Sequence, residues 1–184
     1  MAKHRAQGHR VIYRDGGEII AAQGKAMFRL PLKDIPLTDN GQIAFQVENA
    51  MAAVGAAWAL DIPWDAIAAG LASFNSDADT VPGRFNRFDY KGATLIADYG
   101  HNPDAILALV QAVETMPAKR RSVVISGAGD RRDEDIREQT RILGKVFDDV
   151  VLYQDECQRG RADGEVLALL QQGLVDAPRT RDIV

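Results

Sequence analysis

From residue 93 onward the chain alternates short apolar runs with longer amphipathic ones, and this alternation restricts its folds more than any other feature. Residues 93–99, 122–126 (SVVIS) and 150–153 read as compact strands. Residues 103–115, 133–147 and 164–174 read as the helices between and after them. Asn102 stands where a helix cap is expected, ahead of Pro103. Strand–helix repeats of this length build a parallel sheet covered on both faces, so an α/β fold is expected. The closing Asp182-Ile183-Val184 reads as the opening of a further strand, the pattern of a piece rather than a finished fold.

The N-terminal half has a different character. Residues 10–13 and 18–22 flank Asp15-Gly16-Gly17, a hairpin signal, and residues 27–32 read as a third strand before the breaks at Pro31 and Pro36. Thr38-Asp39-Asn40-Gly41 is a run of turn formers suited to capping the next helix. Residues 43–60 form an Ala-rich helical stretch, expected to be buried on most sides. Within it, Glu48 and Asn49 each need a structural bond or a ligand if buried. A second helix is expected over 63–74, with Pro63 in its first turn. Residues 75–83 (NSDADTVPG) are polar and turn-forming, which divides the chain into 1–80 and 81–184.

Charge and length exclude several classes. The 184 residues carry 22 basic and 26 acidic side chains, a net charge of -4 that gives no reason to expect nucleic acid or an anionic membrane as partner. No apolar run approaches the roughly 20 residues a bilayer demands, and the N-terminus leads into no signal core. The single cysteine, Cys157, suits a reducing compartment, so cytoplasm is expected. Gly24-Lys25-Ala26 is not a P-loop, since Ile19 replaces the first glycine and Ala26 the metal-binding hydroxyl. One cysteine with His4, His9 and His101 cannot supply zinc spacing, and no metal ligands are expected here.

Three polar clusters fall where α/β proteins place ligands. In Asp98-Tyr99-Gly100-His101-Asn102-Pro103 an Asp at a strand end can hold ribose hydroxyls, and a His at a helix start can meet phosphate or carboxylate; the alternative is an Asx turn and a surface His. In Gly127-Ala128-Gly129-Asp130-Arg131-Arg132-Asp133-Glu134-Asp135 the arginines suit anions and the carboxylates a guanidinium or ammonium, or else they merely solvate and cap a helix. In Val81-Pro82-Gly83-Arg84 the Arg is placed to reach a phosphate, or is simply solvated.

Taken together, LTDNGQIAFQVENA, PGRFN, DYGHNPDAI, GDRRDEDI and YQDECQRGRADGE resemble, in this order, the Mur ligase family. That family includes the peptidoglycan amino-acid ligases, folylpolyglutamate synthase and cyanophycin synthetase, and the match is nearest to the cyanophycin synthetase branch. The resemblance implies a Rossmann-like, mostly parallel C-terminal domain over 81–184, preceded over 1–80 by the end of a central ATP-binding domain. It implies an ATP-dependent carboxylate–amine ligase acting through an acyl phosphate, with arginine and a poly-aspartate backbone as substrates. A ligase for peptidoglycan precursors or folylpolyglutamate, and a non-catalytic nucleotide- or amino-acid-binding module, stand as alternatives. By the same resemblance Asn49, Arg84 and Asp98 contact the nucleotide, and His101 and Asn102 lie near the phosphates or acyl phosphate as catalytic residues. Asp130, Arg131, Arg132, Asp133 and Asp135 face the amino substrate. ATP and Mg2+ are the implied cofactors, with the P-loop and metal ligands mostly outside this chain, which is therefore expected to be inactive alone. The family also suggests homo-oligomers.

Overall fold

The computed structural model describes residues 2–156 and 158–184; Cys157 lies outside them, and with it the reading of that thiol. The chain forms two compact units, Met1–Asp98 and Tyr99–Val184.

In the first unit a short helix α1 (Ala2–Ala6) precedes strands β1 (Arg10–Asp15), β2 (Glu18–Gln23) and β3 (Ala26–Pro31), an antiparallel sheet in that order. Asp15 stands opposite Glu18 across a two-residue Gly16-Gly17 turn whose first glycine has φ +56°, the left-handed conformation such hairpins require. The central strand β2 is the most buried of the three. Two 3₁₀ turns (Leu32–Asp34 and Pro36–Thr38) lead to helices α2 (Ala44–Ala59) and α3 (Trp64–Ser73). Thr38, fully buried, places its hydroxyl 3.0 Å from the Leu32 carbonyl and 2.9 Å from that of Ile35, and accepts from the Gly41 N–H at 3.2 Å. The turn formers therefore fix their own loop; the residue that caps α2 is Ile43, with no side-chain bond.

α2 departs from the expectation of burial on most sides. Only Gln46, Val47, Ala50, Val54 and Trp58 are buried, one stripe at helical spacing that packs with Ile19, Leu30 and Ile67. Glu48 and Asn49 lie off that stripe and are exposed, so neither carries a desolvation cost. The composition misled here because alanine serves buried and exposed helix positions alike.

The unit ends with β4 (Asn86–Tyr90) and β5 (Ala93–Ala97), an antiparallel pair. The run at 93–99 is thus a hairpin arm rather than a member of the parallel sheet. Its partner β4 is mostly exposed and lacked an apolar signature, while the Lys91-Gly92 turn takes φ +49° and +81°, as a tight hairpin demands.

In the second unit α4 (Pro103–Glu114), β6 (Ser122–Ile125), α5 (Asp133–Leu143), β7 (Asp149–Leu152), α6 (Glu165–Gly173) and β8 (Asp182–Ile183) alternate as expected, and β6-β7-β8 form a parallel sheet. Its core gathers Ile106, Val110, Ile125, Leu143, Phe147 and Val150, with Ile136, Val166 and Leu170 in a second cluster. The architecture is α/β, with two antiparallel sheets in the first unit and the parallel one in the second.

Candidate functional site

In the first unit an apolar cavity of about 550 Å³ lies along α2 and α3, walled by Ala50, Ala53, Val54, Ile67 and Leu71. A volume of this order suits a small-molecule ligand. Of the exposed alanines of α2, Ala53 thereby acquires a role as cavity wall, beside Ala50 and Val54 of the buried stripe. Polar groups enter from Asn49, Ser76, Arg84 and Asp98. Asn49 donates from Nδ2 to the Gln46 side-chain oxygen at 3.0 Å.

The approach of Arg84 to this cavity is set by its neighbours. Asn86 is 1% exposed; its Oδ1 accepts from the Gly83 N–H (2.6 Å) and the Arg84 N–H (3.3 Å), and its Nδ2 donates to the carbonyls of Ser76 (3.2 Å) and Val81 (3.1 Å). Ser76 Oγ donates to the Arg84 carbonyl at 2.8 Å. Phe85 is buried, its ring edge-on to Phe45, and it takes φ +54°, a conformation that costs a non-glycine residue energy and needs support. That support includes Asp98, whose Oδ2 accepts from the Phe85 N–H at 2.9 Å. Asp98 thus ties the strand end to the arginine loop.

In the second unit the Asn102 side chain accepts from the Ala105 N–H at 2.9 Å and caps α4, as expected. His101 Nδ1 lies 3.0 Å from the Tyr99 carbonyl, and its Nε2 lies 2.6 Å from Arg131 Nη2. The carboxylates after β6 are each held by an arginine of the chain itself: Asp130 by Arg159 (2.9 Å), Asp133 by Arg161 (2.8 Å) and Asp135 by Arg132 (2.7 Å). The Arg159 hydrogen bond lowers the Asp130 pKa, and the Arg132 hydrogen bond lowers that of Asp135. Arg161 also bonds Glu165, the Gly129 carbonyl and the Arg131 carbonyl, and its own pKa is raised by Asp133 and then Glu165.

Of the residues singled out in the sequence, Asn49, Arg84 and Asp98 line one cavity. His101 and Arg131 touch each other, and Asp130, Arg132, Asp133 and Asp135 lie in the adjoining charged cluster. Sequence reasoning missed Asn86, Arg159 and Arg161. The signals were faint: an Asn closing PGRFN, and two arginines flanking Gly160, whose φ is +89°.

Known proteins resemble the chain over most of its length. The family described as Mur ligase, glutamate ligase domain matches residues 83–182. Cyanophycin synthetase of Geminocystis herdmanii (strain PCC 6308) is 36% identical over 93% of the chain, and that of Trichormus variabilis (strain ATCC 29413 / PCC 7937) 32% over 94%. The chain spans about a fifth of the length of these curated relatives, 20% and 19%. UDP-N-acetylmuramoyl-L-alanyl-D-glutamate–2,6-diaminopimelate ligase of Gloeobacter violaceus (strain ATCC 29082 / PCC 7421) is 37% identical over 76% of the chain and 26% of its own length. Among solved structures, Mycobacterium tuberculosis folylpolyglutamate synthase complexed with ADP and AMPPCP shares the fold at TM-score 0.61 and 24% identity, covering 95% of this chain and 37% of that one. MurF from Acinetobacter baumannii does so at TM-score 0.58 and 20% identity, covering 94% and 34%.

Proposed function

The chain belongs to the Mur ligase family, and from that premise we propose that it serves an ATP-dependent carboxylate–amine ligase of the cyanophycin synthetase type. In this reading ATP phosphorylates a carboxylate of a poly-aspartate backbone, and the amine of arginine displaces phosphate from the acyl phosphate to form the amide. The observation that carries the reading is the convergence of Asn49, Arg84 and Asp98 on one cavity. Its apolar walls suit a purine, Asn49 its edge, Asp98 the ribose hydroxyls and Arg84 the phosphates. His101 and Asn102 belong near the acyl phosphate, and the charged loop after β6 near the amino substrate. Mg2+ would supply charge neutralisation on the phosphates, from ligands mostly outside this sequence. The proposed domain division is 1–80 and 81–184, supported by a family match that begins at residue 83; the compact units divide later, after Asp98, with β4 and β5 in the first of them.

No helix among the described residues is long and apolar enough to cross a membrane. Small-molecule substrates, a cytoplasmic location and a homo-oligomeric assembly complete the proposal.

The test is an assay of the native polypeptide carrying this sequence. Arginine- and poly-aspartate-dependent ADP release, with arginine joined to the polymer, is the expected result. ADP release that instead requires a muramyl peptide or a folate would move the protein to another ligase of the family, the direction to which the Gloeobacter relative points. Arg84→Ala should weaken nucleotide binding about tenfold or more, the scale of one charged hydrogen bond.

A further inference from the structure

We propose that His101 is a positioning residue, held in a single tautomer so as to orient the Arg131 guanidinium, and that it is not a proton acceptor. The inference rests on the ligase reading only for its purpose, which is to present Arg131 to an anionic oxygen of the reacting groups.

A guanidinium offers N–H donors and no acceptor, so the 2.6 Å contact between Arg131 Nη2 and His101 Nε2 requires an unprotonated Nε2. The ring proton then sits on Nδ1, where the Tyr99 carbonyl, 3.0 Å away, can only accept. Both contacts demand the same tautomer. The Tyr99 ring meets the imidazole edge-on at 5.3 Å, and Asn102, capping α4, anchors the next residue. With its Nε2 lone pair taken by Arg131, the imidazole has none to offer an incoming ammonium.

Arg131 is held from the other side as well. Its backbone N–H donates to the Ala128 carbonyl (3.1 Å), and its carbonyl accepts from Arg161 Nη2 (2.7 Å). The arginines around it, Arg132, Arg159 and Arg161, bond carboxylates directly, whereas Arg131 bonds an imidazole. Among the described residues of this cluster, its positive charge is thus the one without a carboxylate in direct contact, the condition for receiving an anionic ligand. Its Nε is buried without a partner among the described residues, so no bond at that nitrogen fixes the guanidinium.

Nitrogen-15 NMR of the 184-residue chain, at a pH where the imidazole is neutral, reads the tautomer directly. His101 should show proton-bearing Nδ1 and bare Nε2. Arg131→Ala should shift it toward the Nε2–H form, and Arg131→Lys, which still donates, should hold it. His101→Ala should release rotation of the Arg131 guanidinium, read as averaging of its Nη N–H signals, and His101→Gln, whose carbonyl also accepts from Nη2, should restore the restricted rotation. An Nε2–H tautomer in the parent chain overturns the proposal. In the native polypeptide, His101→Ala should lower the ligase rate and His101→Gln should recover part of it without changing the shape of the pH–rate profile; loss of a limb of that profile in His101→Gln would mark a proton acceptor and overturn the proposal. The NMR measurements need neither nucleotide nor activity, so they stand or fall separately from the ligase reading.

Discussion

Asn86 uses both faces of its amide, accepting two backbone N–H groups and donating to two carbonyls while almost fully buried. Replacing it by Ala would strand those groups in a loop that already holds Phe85 in a left-handed conformation. The expected cost is about 1–3 kcal/mol, the scale of buried groups left unsatisfied, measured as a lower urea midpoint. Asn86→Asp should be no better than partial, because its carboxylate keeps the acceptor but faces the carbonyls of Ser76 and Val81. A variant as stable as the parent would show that the loop is held by Asp98 and Ser76 alone. None of this was legible in the sequence, where an Asn after Pro-Gly-Arg-Phe reads as a solvated turn residue. Arg84 and Asp98 are legible through the motifs PGRFN and DYGHNPDAI that carry the family resemblance, since a charged side chain at a turn or strand end is by itself ordinarily just solvated. Asn49 stands out in the sequence for a reason the structure does not support: an apolar helix implies burial, yet the residue is exposed and lines the cavity.

Among the elements, α5 and α6 approach most closely at Gly173, where an added methyl would strike the Arg137 carbonyl and the Thr140 hydroxyl. That hydroxyl lies 2.7 Å from the Leu170 carbonyl and 3.1 Å from that of Arg137, so two helices cross on a small residue and share a bond. Gly173→Ala should therefore destabilise by about 1–3 kcal/mol through overpacking, even though alanine favours helix. Calorimetry showing a raised melting temperature would mean that the helices can part without loss. Asn102→Ala should cost about 1 kcal/mol as a lost cap, and Asn102→Ser should recover most of it. Helices α4, α5 and α6 could be read in advance because their apolar spacing, and at α4 the cap, pointed the same way. Strand β4 could not, since its side chains are mostly solvent-facing and only the pairing with β5 makes it a strand.

At the scale of the molecule, the strand–helix alternation specified the second unit, down to β8 beside β7. A period in sequence reports burial on one face, and burial is what assembles a parallel sheet. What it did not report is how the sheet's far end is closed. There Asp149 accepts a forked pair from Arg120 and a bond from Ser122 (2.6 Å), Arg120 reaches on to Asp182 (3.2 Å), and Asp148 takes Arg179 (3.1 Å) and the Arg121 N–H (2.9 Å). These partners join the starts of all three strands, and they come from residues far apart in the chain. The Arg120 hydrogen bond, followed by that of Ser122, holds the Asp149 carboxyl far below its usual value of 3.8, and Arg179 with the Arg121 N–H lowers Asp148 in the same direction. A carboxyl whose pKa is lower folded than unfolded binds protons preferentially in the unfolded chain. Its stabilisation is complete above the ordinary carboxylate range and is lost as pH falls through the folded value. Amide exchange at Val150, Val151 and Leu152 should thus be flat in protection between about pH 7 and pH 5, once intrinsic rates are removed, and lose protection steadily below about pH 4. Asp149→Asn should be less protected at neutral pH and respond less to acid, because one of the two linked carboxyls is gone. Equal acid sensitivity in parent and variant would place the titrating groups elsewhere in the molecule.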